Sequence, residues 1–190
     1  MSVAGVVLAA GASRRMGSPK QLQVLHGETL LQRAVRVAAE AGCSPVVVVL
    51  GAEAEKIRAA CPLEDVVVVI NGGWEEGMAS SLRLGVETCR LVAREADGLI
   101  VMTCDQPAVT ADHLRELMQR KDVTASRYAG RNGVPAFFPS SDFDALLKLH
   151  GDTGARDLLA NAEAIDLEGG EVDIDTADDL ERARERFGML

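Results

Sequence analysis

Val3-Ala4-Gly5-Val6-Val7-Leu8-Ala9-Ala10-Gly11-Ala12-Ser13-Arg14-Arg15-Met16-Gly17-Ser18-Pro19-Lys20 decides how this chain is read. An apolar run, Val3 to Leu8, passes directly into a loop of small residues carrying Arg14, Arg15 and Lys20. A buried strand that ends in small residues with free N–H groups and cations is suited to holding phosphates. No Asp or Glu occurs before Glu28, although the whole chain carries a formal net charge of −9. The loop is therefore an island of positive charge in an acidic protein. It matches neither the G-x-x-x-x-G-K-S/T spacing of a Walker A loop nor the G-x-G-x-x-G dinucleotide fingerprint. The plain alternative is a surface turn with solvated cations, but the position after a first strand favours a ligand.

Outward from this stretch, β-branched runs alternate with helical patterns. Val3–Leu8, Pro45–Leu50, Val66–Ile70 and Leu99–Cys104 read as strands buried on both faces, each followed by helix-like sequence. The first predicted helix, about Thr29 to Ala41, turns Leu30, Leu31, Ala34, Val35 and Ala38 inward and stops at Gly42. Met78, Leu82, Val86, Cys89 and Ala93 form an apolar stripe after the third strand; Leu114, Leu117 and Met118 do so after the fourth. Such alternation implies right-handed crossovers, hence an α/β doubly wound, mostly parallel sheet with helices on both faces. Beyond Lys121 the rhythm changes. Val123–Tyr128 and Val134–Phe138 flank Gly130-Arg131-Asn132-Gly133, which predicts a small β-hairpin insertion. Short helices around Phe143–Leu149 and Ala155–Ala160, a strand near Ala164–Leu167 and a helix from about Ala177 to Phe187 complete a single domain over residues 1–190.

Composition narrows the partners. With 47% hydrophobic and 26% charged residues the chain is an ordinary globular protein, long enough for a sizeable core. Six aromatics and an acidic balance argue against nucleic acid, which needs stacking platforms and a broad basic face. No apolar run reaches the length of a membrane span, and no h-region stands at the N-terminus, so a cytoplasmic protein is expected. Cys43, Cys61, Cys89 and Cys104 show no C-x-x-C spacing, and His26, His113 and His150 are isolated, so zinc is not indicated.

Ligands of doubly wound sheets bind beyond the carboxyl ends of the strands. There the sequence offers the basic loop, then Asn71-Gly72-Gly73-Trp74, then Asp105-Gln106-Pro107. Asp105 can hold a hard divalent ion or simply cap a turn. Asp173 and Asp175, two apart in an extended segment, point to one face, while Asp175 or Thr176 also fits as the cap of the helix that follows. Gly77-Met78-Ala79-Ser80-Ser81 opens a helix whose N–H groups and hydroxyls can read a base or phosphate, or whose Ser80 or Ser81 is only a cap. Trp74 and Met78 read as packing residues. Arg156 begins a helix against its dipole, a cost of roughly 0.3–1 kcal/mol that implies an anion nearby, either Asp152 or a ligand.

Leu8-Ala9-Ala10-Gly11-x-Ser13-x-Arg15-Met16-Gly17-x-Pro19-Lys20 resembles the signature loop of the nucleotidylyltransferases that mature molybdenum cofactor, most closely the cytidylyltransferase branch. Blocks in family order extend the resemblance over nearly the whole chain: Gly77-Met78-x-x-Ser81-Leu82, Cys104-Asp105-Gln106-Pro107, Gly133-x-Pro135, Gly151-Asp152-x-Gly154-Ala155-Arg156 and Asp173-Ile174-Asp175-Thr176-x-x-Asp179-Leu180. It implies a Rossmann-like nucleotidyltransferase fold that transfers CMP from CTP to the phosphate of molybdenum-molybdopterin, releasing pyrophosphate with Mg²⁺. Lys20, Arg15 and Asp105 would be catalytic. Leu8, Ala9, Ala10, Gly11, Ser13, Arg15, Lys20, Asn71, Gly77 and Ser81 would bind nucleotide; Gln106, Pro135, Gly154 and Arg156 would bind the acceptor. Asp105 and Asp175 would hold the metal, with Asp173 a weaker candidate. The rival closest to this is guanylyl transfer: Ala10 favours cytidine, because the guanylyl branch tends to have a second glycine there. Transfer to another phosphorylated alcohol, such as a sugar 1-phosphate or methylerythritol phosphate, is a further alternative, as is a non-catalytic carrier for a client molybdoenzyme. A nicotinamide-binding protein lacks the glycine spacing. No protein nucleophile or triad is visible, and a monomer or weak dimer is expected.

Overall fold

The computed structural model describes residues 1–187. Strands β1 (Val3–Ala9), β4 (Val46–Leu50), β5 (Val66–Ile70) and β6 (Gly98–Thr103) are joined by helices α1 (Leu30–Ala41), α2 (Ala54–Ala60) and α3 (Met78–Val92). A small pair, β2 (Val24–Leu25) and β3 (Glu28–Thr29), precedes α1. Helix α4 (Ala111–Met118) leads to β7 (Thr124–Tyr128) and β8 (Arg131–Pro139); short helices α5 (Phe143–Leu146) and α6 (Arg156–Leu159), strand β9 (Glu163–Asp166) and α7 (Ala177–Arg186) follow. The main sheet runs β5-β4-β1-β6-β8-β7-β9. Its first four strands are parallel, β8 pairs antiparallel with β6 and β7, and β9 pairs parallel with β7. The α/β doubly wound architecture expected from the alternation is the one observed.

Two apolar layers hold it together. Val7, Val48 and Ile100 face α1 and α4 on one side of the sheet; Val6, Val49 and Val101 face α3 and α5 on the other. Helix α1 starts with a capping box, Thr29 against Gln32, and ends at Gly42 in the left-handed region. β1 and β4 are buried throughout, and β6 is buried up to Thr103, but β5 is only half-buried and leaves Ile70 44% exposed. Burial on both faces fails there because β5 is an edge strand, a property of strand order and not of composition.

The hairpin turn is tighter than the glycines implied. It consists of Ala129 and Gly130, both at positive φ, so Arg131, Asn132 and Gly133 belong to β8. Gly133 leaves the space that the Tyr128 ring occupies: a Cβ there would lie 2.3 Å from the phenol oxygen.

Strand order reverses between β1 and β6, since successive strands first run outward through β4 and β5 and then resume on the other side of β1. The crevice beyond their carboxyl ends is where such sheets bind ligands. Register brings Leu8 opposite Thr103, which places the Ala10–Lys20 loop beside Asp105.

Helix α3 approaches this sheet through Gly85, where an added Cβ would lie 2.5 Å from Val6 Cγ1. We therefore expect Gly85→Ala to destabilise the fold by about 1–3 kcal/mol from overpacking, although alanine is the better helix former by ~1 kcal/mol. Urea denaturation checks this, and an unchanged or raised midpoint would contradict the packing.

Candidate active site

The loop after β1 is tied by side chains. Ser13 sits at positive φ, its carbonyl accepts from the Met16 and Gly17 N–H groups, and its hydroxyl accepts from the Lys20 N–H at 2.9 Å. Gln21, 1% exposed, donates to the carbonyls of Ala9 (2.7 Å) and Gly11 (3.1 Å). That buried amide pins both ends of the loop and so fixes where Lys20 begins. Sequence reading missed it; its signal was a Gln immediately after the last cation of the loop.

Lys20 Nζ donates to Asp105 Oδ2 at 2.5 Å and to Asp175 Oδ1 at 2.9 Å. Arg15 Nη2 donates to the other Asp175 oxygen at 2.6 Å. Asp175 is free to do this because Thr176, not Asp175, caps α7 in a capping box with Asp179. Asp105 Oδ1 is buried and without a hydrogen-bond partner. Burial disfavours the Lys20 ammonium, but the Asp105 charge and the hydrogen bonds to both carboxylates outweigh that and hold the amine above the ordinary lysine range. Cys104, beside Asp105, is buried, and desolvation pushes its thiol up to about 12, which disfavours the thiolate.

Two cavities meet at Met78, Thr103 and Asp105. The larger, about 700 Å³, is lined by nine of the expected nucleotide residues, Leu8, Ala9, Ala10, Gly11, Ser13, Arg15, Lys20, Gly77 and Ser81, and by Arg14, Gln21, Trp74 and Asp152. Asn71 is not among them. It lies buried behind the wall and donates to Ser80 Oγ and Ser81 Oγ at 2.8 and 2.9 Å, orienting the start of α3. Trp74 is part of the wall: Gly51 lies so close that a Cβ there would be 2.7 Å from Trp74 Cβ and 2.8 Å from Ala10 Cβ. Met78 heads the apolar stripe of α3 but is 41% exposed, because the first helical residue projects past the sheet into the crevice.

The second cavity, about 490 Å³, is walled by Gln106 and Arg156 as expected, and by Tyr128, Arg131, Asn132 and Asp173. Gln106 is buried, held to Gly170 O at 3.2 Å and to the Tyr128 hydroxyl at 3.3 Å. Asp152 does not pair with Arg156; it turns to the Met78 N–H at 3.4 Å. Pro135 and Gly154 line neither cavity. Pro135 is buried in β8, where its carbonyl accepts from Ser126, and Gly154 packs under the Met78 sulfur. Both shape the wall from behind.

Among the described residues no group of three His, Cys, Asp or Glu side chains is gathered to hold a metal alone. The donors present are two carboxylates on one ammonium, one of them with an unpartnered buried oxygen. That set fits a hard ion which takes one or two carboxylates and completes its shell with substrate phosphates.

Burial first, and then the charges of Asp105 and Asp175, push the Asp173 carboxyl up to about 6. A raised carboxyl holds its proton in the folded state where the unfolded chain has lost it, so stability falls as pH rises from about 4 to about 6 and the penalty persists above that. In metal-free protein, Asp173→Asn is expected to stabilise at pH 7 by on the order of 1–3 kcal/mol, a gain that shrinks as pH falls through 6 towards 4. Denaturation midpoints over this range test it; a loss at pH 7, or a gain independent of pH, would refute it.

Residues 5–166 match the family described as MobA-like NTP transferase domain. The chain is 31% identical to the nicotine blue oxidoreductase of Paenarthrobacter nicotinovorans, over 99% of this chain and 96% of that protein. It is 36% identical to a probable molybdenum cofactor guanylyltransferase of Opitutus terrae, over 73% of this chain and 67% of that one. The crystal structure of Rv0371c from Mycobacterium tuberculosis H37Rv superposes with a TM-score of 0.81 at 35% identity, covering 97% and 98% of the two chains. A structure of Rv0371c in complex with manganese superposes at 0.77 and 32% identity, covering 98% and 100%. The family match runs from within β1 to the end of β9 and takes in both the cationic loop and Asp105, so the chain belongs to the MobA-like NTP transferase family.

Proposed function

We propose that this protein is a nucleotidylyltransferase that joins a nucleoside monophosphate to the phosphate of a molybdopterin-type acceptor. The observation that carries the reading is Lys20, set between Asp105 and Asp175 where two cavities meet. An acceptor phosphate oxygen attacks the α-phosphorus; a new P–O bond forms, the bond to the β-phosphate oxygen breaks, and pyrophosphate leaves with the electron pair. The attacking group is already an anion, so no protein base or nucleophile is required. What the protein must supply is position and charge neutralisation. Lys20, Arg15 and Arg14 do this for the triphosphate. Arg131 and Arg156 do it for the acceptor phosphate in the second cavity. Asp105 and Asp175 would hold a divalent ion, which when bound neutralises phosphate oxygens as charge shifts to the leaving group. That Rv0371c, a solved relative at 32% identity, forms a complex with manganese supports a divalent ion for this chain as well.

Guanosine is the better supported base, since the relative named for a nucleotide is a guanylyltransferase. The cytidine expected from the loop rests on Ala10 alone. Its methyl lies against Gly51 and narrows the wall shared with Trp74, which keeps cytidylyl transfer as the second reading. A redox role, named for the full-length relative, gains nothing from the first loop, which lacks a dinucleotide fingerprint.

Pyrophosphate release with GTP or CTP and a molybdopterin-type, sugar 1-phosphate or methylerythritol phosphate acceptor tests the proposal. Release is expected only with the first acceptor, and faster with GTP. Lys20→Met should keep its circular dichroism and lose turnover by about 10²–10³-fold. Undiminished turnover in that variant, or release with another acceptor alone, would overturn the assignment. Faster release with CTP, shifted towards GTP in Ala10→Gly, would install the second reading.

A further inference from the structure

The Lys20 ammonium sits on the oxygens that a divalent ion needs. It takes Asp105 Oδ2 and Asp175 Oδ1, while the Arg15 guanidinium takes Asp175 Oδ2. Of the four oxygens of this pair of carboxylates, Asp105 Oδ1 alone is left without a partner, and it is buried. A divalent ion bound to both carboxylates and an ammonium hydrogen-bonded to both compete for the same oxygens at the same place.

Neither group leaves easily alone. The Lys20 and Asp105 side chains are only 16% and 13% exposed, so bulk ions and water replace a lost partner poorly. Displacing Lys20 by metal alone strands a desolvated ammonium beside a second cation; removing Lys20 alone strands the carboxylates, with Asp173 close by. A triphosphate resolves both at once, because its oxygens offer Lys20 new acceptors and offer the metal its remaining ligands. The motion required is small. The Lys20 backbone is fixed by Ser13 Oγ and by the Gln21 amide, so the side chain alone has to swing.

The geometry points to a cation exchange that couples the two substrates: Lys20 is a resident stand-in for the metal, and nucleotide and metal enter together as Lys20 moves from the carboxylates to the phosphates. This inference rests on the proposed function and adds a binding order to it. Free metal binds weakly to the empty enzyme, and nucleotide raises metal affinity by the same factor by which metal raises nucleotide affinity.

Mn²⁺ binding, followed by electron paramagnetic resonance, tests this on wild type and Lys20→Met, with and without the α,β-methylene analogue of GTP. Without nucleotide the variant should bind Mn²⁺ about tenfold more tightly than wild type, since the competing cation is gone. The analogue should tighten Mn²⁺ binding to wild type by about tenfold and to the variant by much less, within the usual range of coupling. Equal or weaker binding to the variant, or tight binding to wild type without nucleotide, would overturn the exchange and leave the proposed function standing. Failure of wild type to bind Mn²⁺ even with the analogue would defeat the metal assignment itself and the exchange with it. A readout on unaltered protein covers a variant that fails to fold: saturating Mn²⁺ should raise the rate at which an amine-reactive acetylating reagent labels Lys20, read by mass spectrometry, and the analogue should protect it again. Labelling that Mn²⁺ leaves unchanged would also overturn the exchange.

Discussion

One ammonium group, Lys20 Nζ, ties together segments 85 and 155 residues apart in the chain. Two carboxylates beside each other at the end of a buried sheet repel, and no bulk ion reaches them freely; a fixed cation is what lets the fold keep them there. Arg15 adds a second positive group from the same loop. The positive loop and the acidic sequence from β9 onward, ten carboxylates and three arginines over residues 163–190, are therefore counterparts, joined where Lys20 and Arg15 meet Asp175.

The sheet makes that pairing possible. Parallel strands β4 and β1 are apolar throughout and buried on both faces, and β6 is so up to its last residue, Thr103, so polar side chains begin only where the loops do. The loops are then free to be polar and short. Each is anchored by a buried amide: Gln21 under the first, Asn71 under the segment leading to α3, Gln106 under the segment that carries Asp105. Rigid anchors matter because transfer between two anions depends on where charges are held, not on a reactive side chain.

Residue pattern made the central strands, α1 with its stop at Gly42, and the crevice legible, because apolar runs and a terminating glycine act locally. What it missed depended on topology. The half-exposure of β5 follows from being last in the strand order, which no residue of Val66–Ile70 encodes. Met78 kept the helical spacing of a core residue yet projects from the first turn of α3, where periodicity says nothing about how far the sheet extends beneath it. The hairpin turn fell on Ala129, a residue without the usual signal for positive φ, while the glycine that marked it, Gly133, serves the Tyr128 ring instead. Asp175 resembled both a cap and a ligand; the Thr176 hydroxyl makes the capping bond itself, which leaves the Asp175 carboxylate to Lys20 and Arg15. Tyr128 and Arg131 escaped, and Asp173 was read only as a weaker metal candidate beside Asp175, because they reach the second cavity from segments that only the folded sheet brings together.

The strand order also gives the proposed reaction a direction. Trp74 and Gly51 follow β5 and β4 on one side of β1; Tyr128, Arg131 and Asn132 belong to β7 and β8 on the far side of β6. A nucleotide whose phosphates rest on Lys20 and Arg15 would have its space for a nucleoside towards Trp74, Gly77 and Ser81, since those residues line the rest of the larger cavity and the second cavity begins at Asp105. An acceptor in that second cavity then approaches from the opposite side. In-line displacement needs the attacking and leaving oxygens on opposite faces of one phosphorus. The shared border at Met78, Thr103 and Asp105 is the place where both demands are met, so the reacting phosphorus belongs within reach of the Asp105 carboxylate.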